Sequence, residues 1–207
     1  MLWQNQAFHR VMRLLHSYSS MLVLVLLLFF AVTGITLNHT TFFSSTAGKY
    51  QHQQHYPLPA ALQRNELPTE PEQLQALALA INEWLRKSHQ LKGGQLQYEL
   101  QPDEQALVLD VKRPAGYSNV WVDFAANTVE VDHYFAGYLA LANDLHKGRD
   151  AGASWTLLID MTAVACIIFA LTGFYLMLRS MSQRSIGNSL ALLGIILALL
   201  AYLISFH

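Results

Sequence analysis

Three apolar runs, one at the start of the chain and two near its end, are too long for the core of a soluble domain. The first extends from about Leu14 to Leu37, with an unbroken apolar centre from Met21 to Val32. The second extends from about Ser154 to Leu178, and the third from about Leu190 to Phe206. About 20 mostly apolar residues cross a bilayer, where backbone groups must be satisfied within the segment. The sequence therefore predicts three membrane-spanning helices.

The polar residues are concentrated between the first and second runs. Of the 207 residues, 53% are hydrophobic and only 13% are charged, whereas roughly 25% are charged in soluble domains. Thirteen of the fourteen acids lie between Glu66 and Asp150, and the other, Asp160, lies inside the second run. A formal net charge of −1 does not indicate a nucleic-acid partner. We expect a helical membrane bundle that carries an inserted polar domain.

The positions of four arginines predict how the chain is oriented in the membrane. Two precede the first run and two lie between the second and third runs, and neither place contains an acid; they are Arg10, Arg13, Arg179 and Arg184. By the positive-inside rule both places face the cytoplasm. Residues 38–153 then lie outside, in the periplasm of a bacterium, and the C-terminal His207 also ends outside.

The first run has the arginine-bearing start and apolar middle of a secretory signal peptide, but we interpret it as an uncleaved anchor. The run is long, and no cleavage site of small residues follows it at once. The best available site is Ser-Thr-Ala at 45–47.

The polar region predicts an α+β domain. Residues 39–68 are rich in Gln, His, Ser and Pro and are expected to form an irregular linker. Thr69-Glu70-Pro71-Glu72 is typical of a helix start, and Gly93-Gly94 of a stop. One face of the helix between them is apolar, formed by Leu74, Leu77, Ala78, Ile81, Trp84 and Leu85.

Strand-like runs follow that helix. They are QLQYELQ, QALVLDVKR and YSNVWVDFAANTVEV, the last with a turn from Asp123 to Thr128. A helix followed by antiparallel strands resembles the PepSY domain, most clearly at VWVDFAANTVEV. There Ala-Ala-Asn stands where that family usually has Thr-Gly. The resemblance covers about residues 69–132, within a predicted periplasmic domain and return to the membrane at 69–152.

The apolar helices extend the resemblance. RLLHSYSSMLVLVLLLFFAVTGITL, with an Arg-x-x-His entry and a Thr-Gly exit, resembles the first helix of PepSY-associated transmembrane proteins. LHKGRDAGASWTLLIDMTAVACIIFALTGFYLMLR resembles their later helix, with a Leu-His-x-Gly start, an acid and a second Thr-Gly. The expected segments are residues 1–38, 153–179 and 190–207 for the helices and 180–189 for a cytoplasmic loop. The resemblance implies an inner-membrane haem protein that reduces ferric iron or ferric siderophores.

Histidines at the ends of the apolar runs are the predicted haem ligands. His39 ends the first run and His146 precedes the second, so the bilayer holds both near its outer face. Two imidazoles from facing helices form an axial pair for non-covalent haem b. No Cys-x-x-Cys-His motif is present, and Cys166 is the one cysteine, so c-type attachment is excluded. The alternative for each histidine is an interfacial polar anchor.

His16, at the inner end of the first run, is a third candidate ligand. It lies 23 residues before His39, roughly 35 Å along a helix, so one haem cannot contact both. Among the histidines only His9 also faces that side. A homodimer would supply a second copy of His16. The alternative is a histidine that snorkels to the interface.

Three charged residues near the second run are secondary candidates. Asp160 would orient a ligand histidine or accept a proton, or it would bond Thr33, Thr36 or Thr162. Arg149, with Lys147, would pair with haem propionates, the alternative being a solvated flank.

His52 and His55, in the Gln- and His-rich linker, would bind substrate iron weakly on the outer side, or they belong to a plain hydrophilic linker.

Two functions are consistent with these features. The first is electron transfer from a quinol or a cytoplasmic reductase, through haem b, to extracytoplasmic ferric iron or a ferric siderophore. The alternative is a non-enzymatic PepSY binding or regulatory module anchored as a scaffold. Because three helices enclose a haem thinly, we expect a homodimer embedded in membrane lipid.

Overall fold

The computed structural model describes residues 5–43 and 48–205 and divides the chain into two compact units. One unit comprises the chain up to residue 29 and from residue 159 onward. The other comprises residues 30–158. The predicted cleavage site at 45–47 and the C-terminal His207 lie outside the described residues.

The first unit contains most of three helices that are long and apolar enough to cross a membrane, as predicted. Helix α1 covers Gln6–Asn38, α4 covers Ala153–Arg179, and α5 covers Arg184–Ile204. Helix α1 begins eight residues before the predicted run, and α5 begins at Arg184 rather than Leu190. Only residues 180–183 therefore link α4 and α5, so the predicted ten-residue loop is too long. The predicted spans ended where the apolar residues ended, whereas the helices continue through the polar residues at their ends.

The second unit is built on a five-stranded antiparallel sheet in the order β1-β5-β4-β3-β2. The strands are β1 (Tyr50–Pro57), β2 (Gln95–Gln101), β3 (Ala106–Arg113), β4 (Gly116–Asp123) and β5 (Thr128–Phe135). The three strand-like runs are thus confirmed, with the last run divided into β4 and β5. Their polar and apolar residues alternate because successive side chains point to opposite faces.

Helix α2 (Pro71–His89) covers one face of this sheet and forms its core. Leu77, Ala78, Ile81 and Leu85 are buried, and Leu74 and Trp84 pack against the same core. The predicted apolar face is therefore confirmed. The sheet contributes alternate residues of its three central strands, such as Leu109, Val120 and Val131.

The prediction of an irregular linker over residues 39–68 is wrong for Tyr50–Pro57, which form the edge strand β1. This strand pairs along its whole length with β5, from Tyr50 opposite Phe135 to Pro57 opposite Thr128. Most of its side chains are exposed. Backbone hydrogen bonds to one neighbour hold an edge strand in the sheet. Its side chains need not be buried, so the sequence of β1 lacks the apolar alternation of the central strands.

The turn between β4 and β5 contains the departure from the usual PepSY residues. The Asp123 carboxylate accepts a hydrogen bond from the Ala126 backbone N–H at 2.8 Å. Asn127 has a φ of 52°, and asparagine tolerates this left-handed conformation better than most residues other than glycine. The Ala-Ala-Asn sequence therefore still closes the turn.

Helix α3 (Tyr138–Lys147) follows the sheet and precedes α4. Its end has Gly148 in a left-handed conformation at a φ of 66°, the usual place for glycine after a helix. Trp155, in the first turn of α4, donates from Nε1 to the Leu145 carbonyl at 2.8 Å. The chain therefore forms a separate short helix, not predicted from the sequence, before α4 begins at Ala153.

Candidate functional site: two histidine sites built on Thr-Gly pairs

His146, near the end of α3, packs against the last third of α1. Its Nδ1 lies 2.6 Å from the Thr33 hydroxyl, and its ring meets Phe30 edge to face at 5.1 Å between centroids. Its Cε1 lies 3.6 Å from where a Cβ would stand on Gly34. We refer to His146, Phe30, Thr33 and Gly34 as the His146 site.

A second hydrogen bond fixes α3 against α1 one turn away. The buried Thr36 hydroxyl donates to the Asn143 side-chain oxygen at 2.7 Å, and Asn143 precedes His146 by three residues. Residues three apart on a helix share a face, so Asn143 and His146 both face α1. The His146 ring is therefore positioned by its own contact and by that of its neighbour.

His16, in the first half of α1, occupies a similar position against α4. Its Nδ1 lies 3.2 Å from the Phe169 carbonyl oxygen and 3.3 Å from the Thr172 hydroxyl. Its ring stacks on that of Phe169, with 4.7 Å between centroids and 14° between planes. A Cβ on Gly173 would lie 2.9 Å from the His16 Cε1. These four residues form the His16 site.

The two sites are built on the same five-residue pattern. Phe30-Ala31-Val32-Thr33-Gly34 on α1 receives His146, and Phe169-Ala170-Leu171-Thr172-Gly173 on α4 receives His16. In each, the threonine hydroxyl contacts Nδ1, the phenylalanine ring contacts the imidazole, and the glycine leaves room for it. The repeated Thr-Gly noted in the sequence therefore marks two histidine-binding positions.

Hydrogen-bond roles determine which imidazole nitrogen is free to bind a metal. The Phe169 carbonyl can only accept, so the His16 Nδ1 beside it carries the proton. The Thr172 hydroxyl donates to the Ile168 carbonyl at 2.6 Å and therefore also accepts from Nδ1. His16 thus carries its lone pair on Nε2, the tautomer that binds a metal while Nδ1 is held by a neighbour. The Thr33 hydroxyl has two acceptors within reach, the His146 Nδ1 at 2.6 Å and the Phe30 carbonyl at 3.4 Å, so its contact with His146 fixes the position of that ring in either tautomer.

The other predicted haem ligand, His39, is not part of either site. It is exposed in the turn that follows α1, where its backbone N–H donates to the Ile35 carbonyl. Within the described part of the chain, no hydrogen bond or ring contact joins it to His146. An axial pair of His39 and His146 stays a prediction.

The secondary candidates have different surroundings. Arg149 is 60% exposed and its Nη1 lies 3.9 Å from the Asp144 carboxylate, while Lys147 is exposed. Asp160 is exposed on the surface of α4. His9 lies on α1 with its ring 6.1 Å from that of Tyr175.

The two linker histidines lie on opposite faces of β1, three residues apart, because strand side chains alternate. His55 Nδ1 lies 3.8 Å from the Glu130 carboxylate, whereas His52 stands opposite His133 on β5. The two rings therefore do not bind one iron together. Among residues 5–43 and 48–205, no group of three His, Cys, Asp or Glu side chains is arranged to hold a metal ion.

His133 is a polar residue in the sheet that the sequence did not mark. Its Nδ1 lies 2.8 Å from the buried Ser118 hydroxyl. Burial lowers the pKa of His133, and the nearby charges of Arg113 and His52 lower it further, against a smaller opposing effect of Asp132. His133 is therefore held as a neutral imidazole.

Comparison with known proteins agrees with the resemblance in the sequence. A family model described as "Putative PepSY_TM-like" matches residues 7–207. The chain belongs to this PepSY_TM-like family. The match includes both Thr-Gly pairs and both histidines that contact them. No curated protein and no solved structure gave a significant match.

Sequence reasoning identified His16 and His146 in this PepSY_TM-like protein but missed the residues that hold them. Thr33 and Thr172 could have been found by aligning the first run with the second, because Phe-Ala-x-Thr-Gly occurs in both. The missed contacts join residues 113 and 156 positions apart. Sequence spacing alone does not show which histidine meets which pair.

Proposed function

We propose that this PepSY_TM-like protein binds haem b through His146 and His16 and passes electrons to extracytoplasmic ferric iron. The single observation that carries this proposal is the repeated arrangement of Phe, Thr and Gly around an imidazole whose Nδ1 contacts the threonine hydroxyl. A hydrogen bond that fixes the second nitrogen of an imidazole is the usual support of a metal-binding histidine. A histidine that only anchors a helix at the membrane interface does not need this hydrogen bond.

The residues of each site fit a haem of its own, to which the site would offer one imidazole ligand. Among the described contacts, neither Nε2 is engaged by a protein hydrogen bond, and Phe30 and Phe169 give each ring an apolar neighbour. Haem bound there would supply a one-electron Fe(III)/Fe(II) couple, tuned by its ligands and their hydrogen bonds. Each Fe(III) ion outside the membrane would take one electron and become Fe(II).

The chain's own residues would position the cofactor. Thr33 would hold the His146 ring in one orientation. The Phe169 carbonyl and the Thr172 hydroxyl would hold the His16 ring in one orientation and one tautomer. Arg149 and Lys147 follow His146 on the exposed side and would pair with propionates, in exchange for the weak contact of Arg149 with Asp144. Asp160 would pair with a group beside the haem or with a residue of a second chain, since an unpaired carboxylate within a membrane is costly.

Each site supplies one imidazole, and a haem held there would take any further protein ligand from elsewhere. A homodimer would bring a second copy of each site, and His39 is the further candidate within the chain. Helix α5 has no buried residue along Arg184–Ile204, and lipid or a second copy of the chain would cover it. A quinol or a cytoplasmic reductase would supply the electrons, with residues 38–153 in the periplasm.

Anaerobic reoxidation tests the proposed electron transfer. The detergent-purified protein is reduced with stoichiometric dithionite and mixed with ferric citrate, and its visible spectrum is followed by stopped flow. We expect the reduced bands to decay at a rate that rises with ferric citrate concentration, with one Fe(II) formed per haem oxidised. A reduced spectrum that ferric citrate leaves unchanged would rule out the ferric reductase.

The alternative is a non-enzymatic scaffold that presents the exported sheet domain. The core between α2 and the sheet favours it, because protein side chains alone form that core. On this alternative the purified protein is colourless and well folded, and His16 and His146 only join helices.

A further inference from the structure

A cavity of about 510 Å³ lies within the unit of residues 30–158, at the end of the sheet beside α3. Its walls combine the β3–β4 hairpin, the open face of β4 and β5, and the end of α3. Tyr117 and Tyr134 form one wall, with ring centroids 5.3 Å apart. Arg113, Asp144 and Arg149 line another part. Pockets of 300–1,000 Å³ with mixed apolar and polar walls are typical of small-molecule sites.

The charged side chains of this cavity differ in the number of hydrogen-bond and ion-pair partners that they have. Asp144 accepts a hydrogen bond from the Ala115 backbone N–H at 2.8 Å and lies 3.9 Å from Arg149. Asp110 lies 3.7 Å from the Lys112 ammonium. Asp150 also lines the cavity, so three cations face three carboxylates and the cavity is formally neutral. Selectivity must therefore depend on individual donors rather than on net charge.

Arg113 is the donor with unused capacity. Its Nη2 donates to the Tyr50 hydroxyl at 3.2 Å and the Tyr134 carbonyl at 3.4 Å. Its Nε is buried and has no acceptor among the described residues. No protein acceptor within those residues takes up Nη1 either, and no carboxylate there lies within ion-pair distance. A guanidinium binds carboxylate and phenolate oxygens strongly.

We propose that this cavity binds a small organic acid that places a carboxylate or phenolate oxygen on Arg113 and an apolar or aromatic surface on Tyr117 and Tyr134. The ligand is either the free acid or its ferric complex, because both present the same oxygen atoms. Asp144 precedes His146 by two residues on α3, so an occupied cavity lies beside the helix that carries a proposed haem ligand. Use of the ligand as electron acceptor rests on the proposed function, whereas its binding does not.

Calorimetric titration of the full-length protein in detergent tests the proposal with three probes: salicylate, citrate, and Ga(III)–citrate as a redox-inert copy of the ferric complex. We expect saturable binding of at least one probe, weakened about tenfold by Arg113→Gln because a charged hydrogen bond is lost. Tyr117→Ala, at a residue that is 40% exposed, should weaken salicylate several-fold. Lys87→Gln, which removes a cation on α2 away from the cavity, should leave binding unchanged.

The probes separate the two sources of the ligand. Tighter binding of Ga(III)–citrate than of citrate assigns the cavity to the metal complex, and the reverse assigns it to the free acid. If Arg113→Gln does not fold, as judged by thermal unfolding, Tyr117→Ala decides. No saturable binding of any probe, or equal affinity in both variants and the wild type, would overturn the proposal. The haem spectrum of the same samples reports separately on the proposed function.

Discussion

At the scale of single residues, two threonines and two glycines distinguish these histidines from ordinary polar residues at a membrane surface. The Thr33 and Thr172 hydroxyls each lie within hydrogen-bond distance of a carbonyl of their own helix and contact Nδ1 of a histidine from another helix. Local bonding of threonine to a carbonyl three or four residues earlier is common in helices. At Thr172 this bond, 2.6 Å long, directs the hydroxyl hydrogen away from His16, so the hydroxyl oxygen accepts from the His16 Nδ1.

Loss of the Thr33 hydroxyl should weaken haem binding without abolishing it. Thr33→Val keeps the side-chain shape but removes the oxygen 2.6 Å from His146 Nδ1. Loss of such a support typically costs 10–100-fold in metal affinity, so we expect about tenfold weaker haem binding in a haem-transfer titration. Thr33→Ser should restore most of it. Unchanged affinity in Thr33→Val would show that the hydroxyl does not support a ligand.

Three glycines give a graded test of the space around the histidines. A methyl group on Gly173 would lie 2.9 Å from His16 and displace the ring, whereas on Gly34 it would make an ordinary contact with His146 at 3.6 Å. On Gly194 it would meet nothing within 4 Å. We expect Gly173→Ala to shift the visible spectrum of bound haem, Gly34→Ala to change it little, and Gly194→Ala to leave it unchanged. Equal effects at all three positions would contradict this order.

At the scale of elements, the sequence predicted those helices and strands whose buried face gives a periodic pattern of apolar residues. Helix α2 was recognised from its apolar face, and β2, β3 and the β4–β5 hairpin from alternation. Strand β1 was missed because YQHQQHYP carries no such alternation. Helix α3 was missed because its ten residues, Tyr138–Lys147, form no long apolar run. The His146 and His16 sites needed tertiary contacts that no local pattern contains.

Truncation of α2 side chains should lower the free energy of unfolding only on the face that packs against the sheet. Leu85 is fully buried, whereas Leu79 on the same helix is 50% exposed. Leu85→Ala should lower the free energy of unfolding by about 2–5 kcal/mol, and Leu79→Ala by much less. Urea unfolding of the two variants checks this. Similar losses would mean that α2 is packed on another face.

Acid should destabilise the unit of residues 30–158 through His133. The pKa of His133 in the folded chain is lowered from its ordinary 6.5, so below about pH 6.5 the unfolded chain binds a proton that the folded chain does not. Stability is therefore fully present above that pH and falls as the pH drops toward the folded pKa. We expect a lower urea midpoint at pH 5.5 than at pH 7.5. His133→Gln should reduce the difference, whereas His55→Gln, on the exposed face of β1, should preserve it.

At the scale of the whole molecule, the chain combines apolar spanning helices with a sheet domain that has its own core. The family match covers both parts, so the combination is a property of the family and not of one segment. The His146 site belongs to the unit of residues 30–158 and the His16 site to the other unit. Helix α1 contributes to both sites, with Thr33 in the first and His16 in the second.

The predicted orientation can be measured on intact bacterial cells. Asn65→Cys and Ser182→Cys place single thiols in the sheet-domain segment and in the link between α4 and α5, in a Cys166→Ala background. A membrane-impermeant maleimide should label the first and not the second until the cells are opened. Labelling of Ser182→Cys alone would show that the orientation is the reverse of the predicted one. Electrons leaving the His146 site would then have no extracytoplasmic acceptor.

The most direct test of the account is the haem content of the wild type and of a His16→Ala/His146→Ala double variant, purified after expression with ample iron and haem precursor. We predict non-covalent haem b in the wild type, seen as a pyridine haemochrome, at one or two per chain. The double variant should fold, by circular dichroism, and contain almost none. A colourless wild type, or a double variant that keeps its full haem content, would contradict the assignment of these imidazoles as iron ligands.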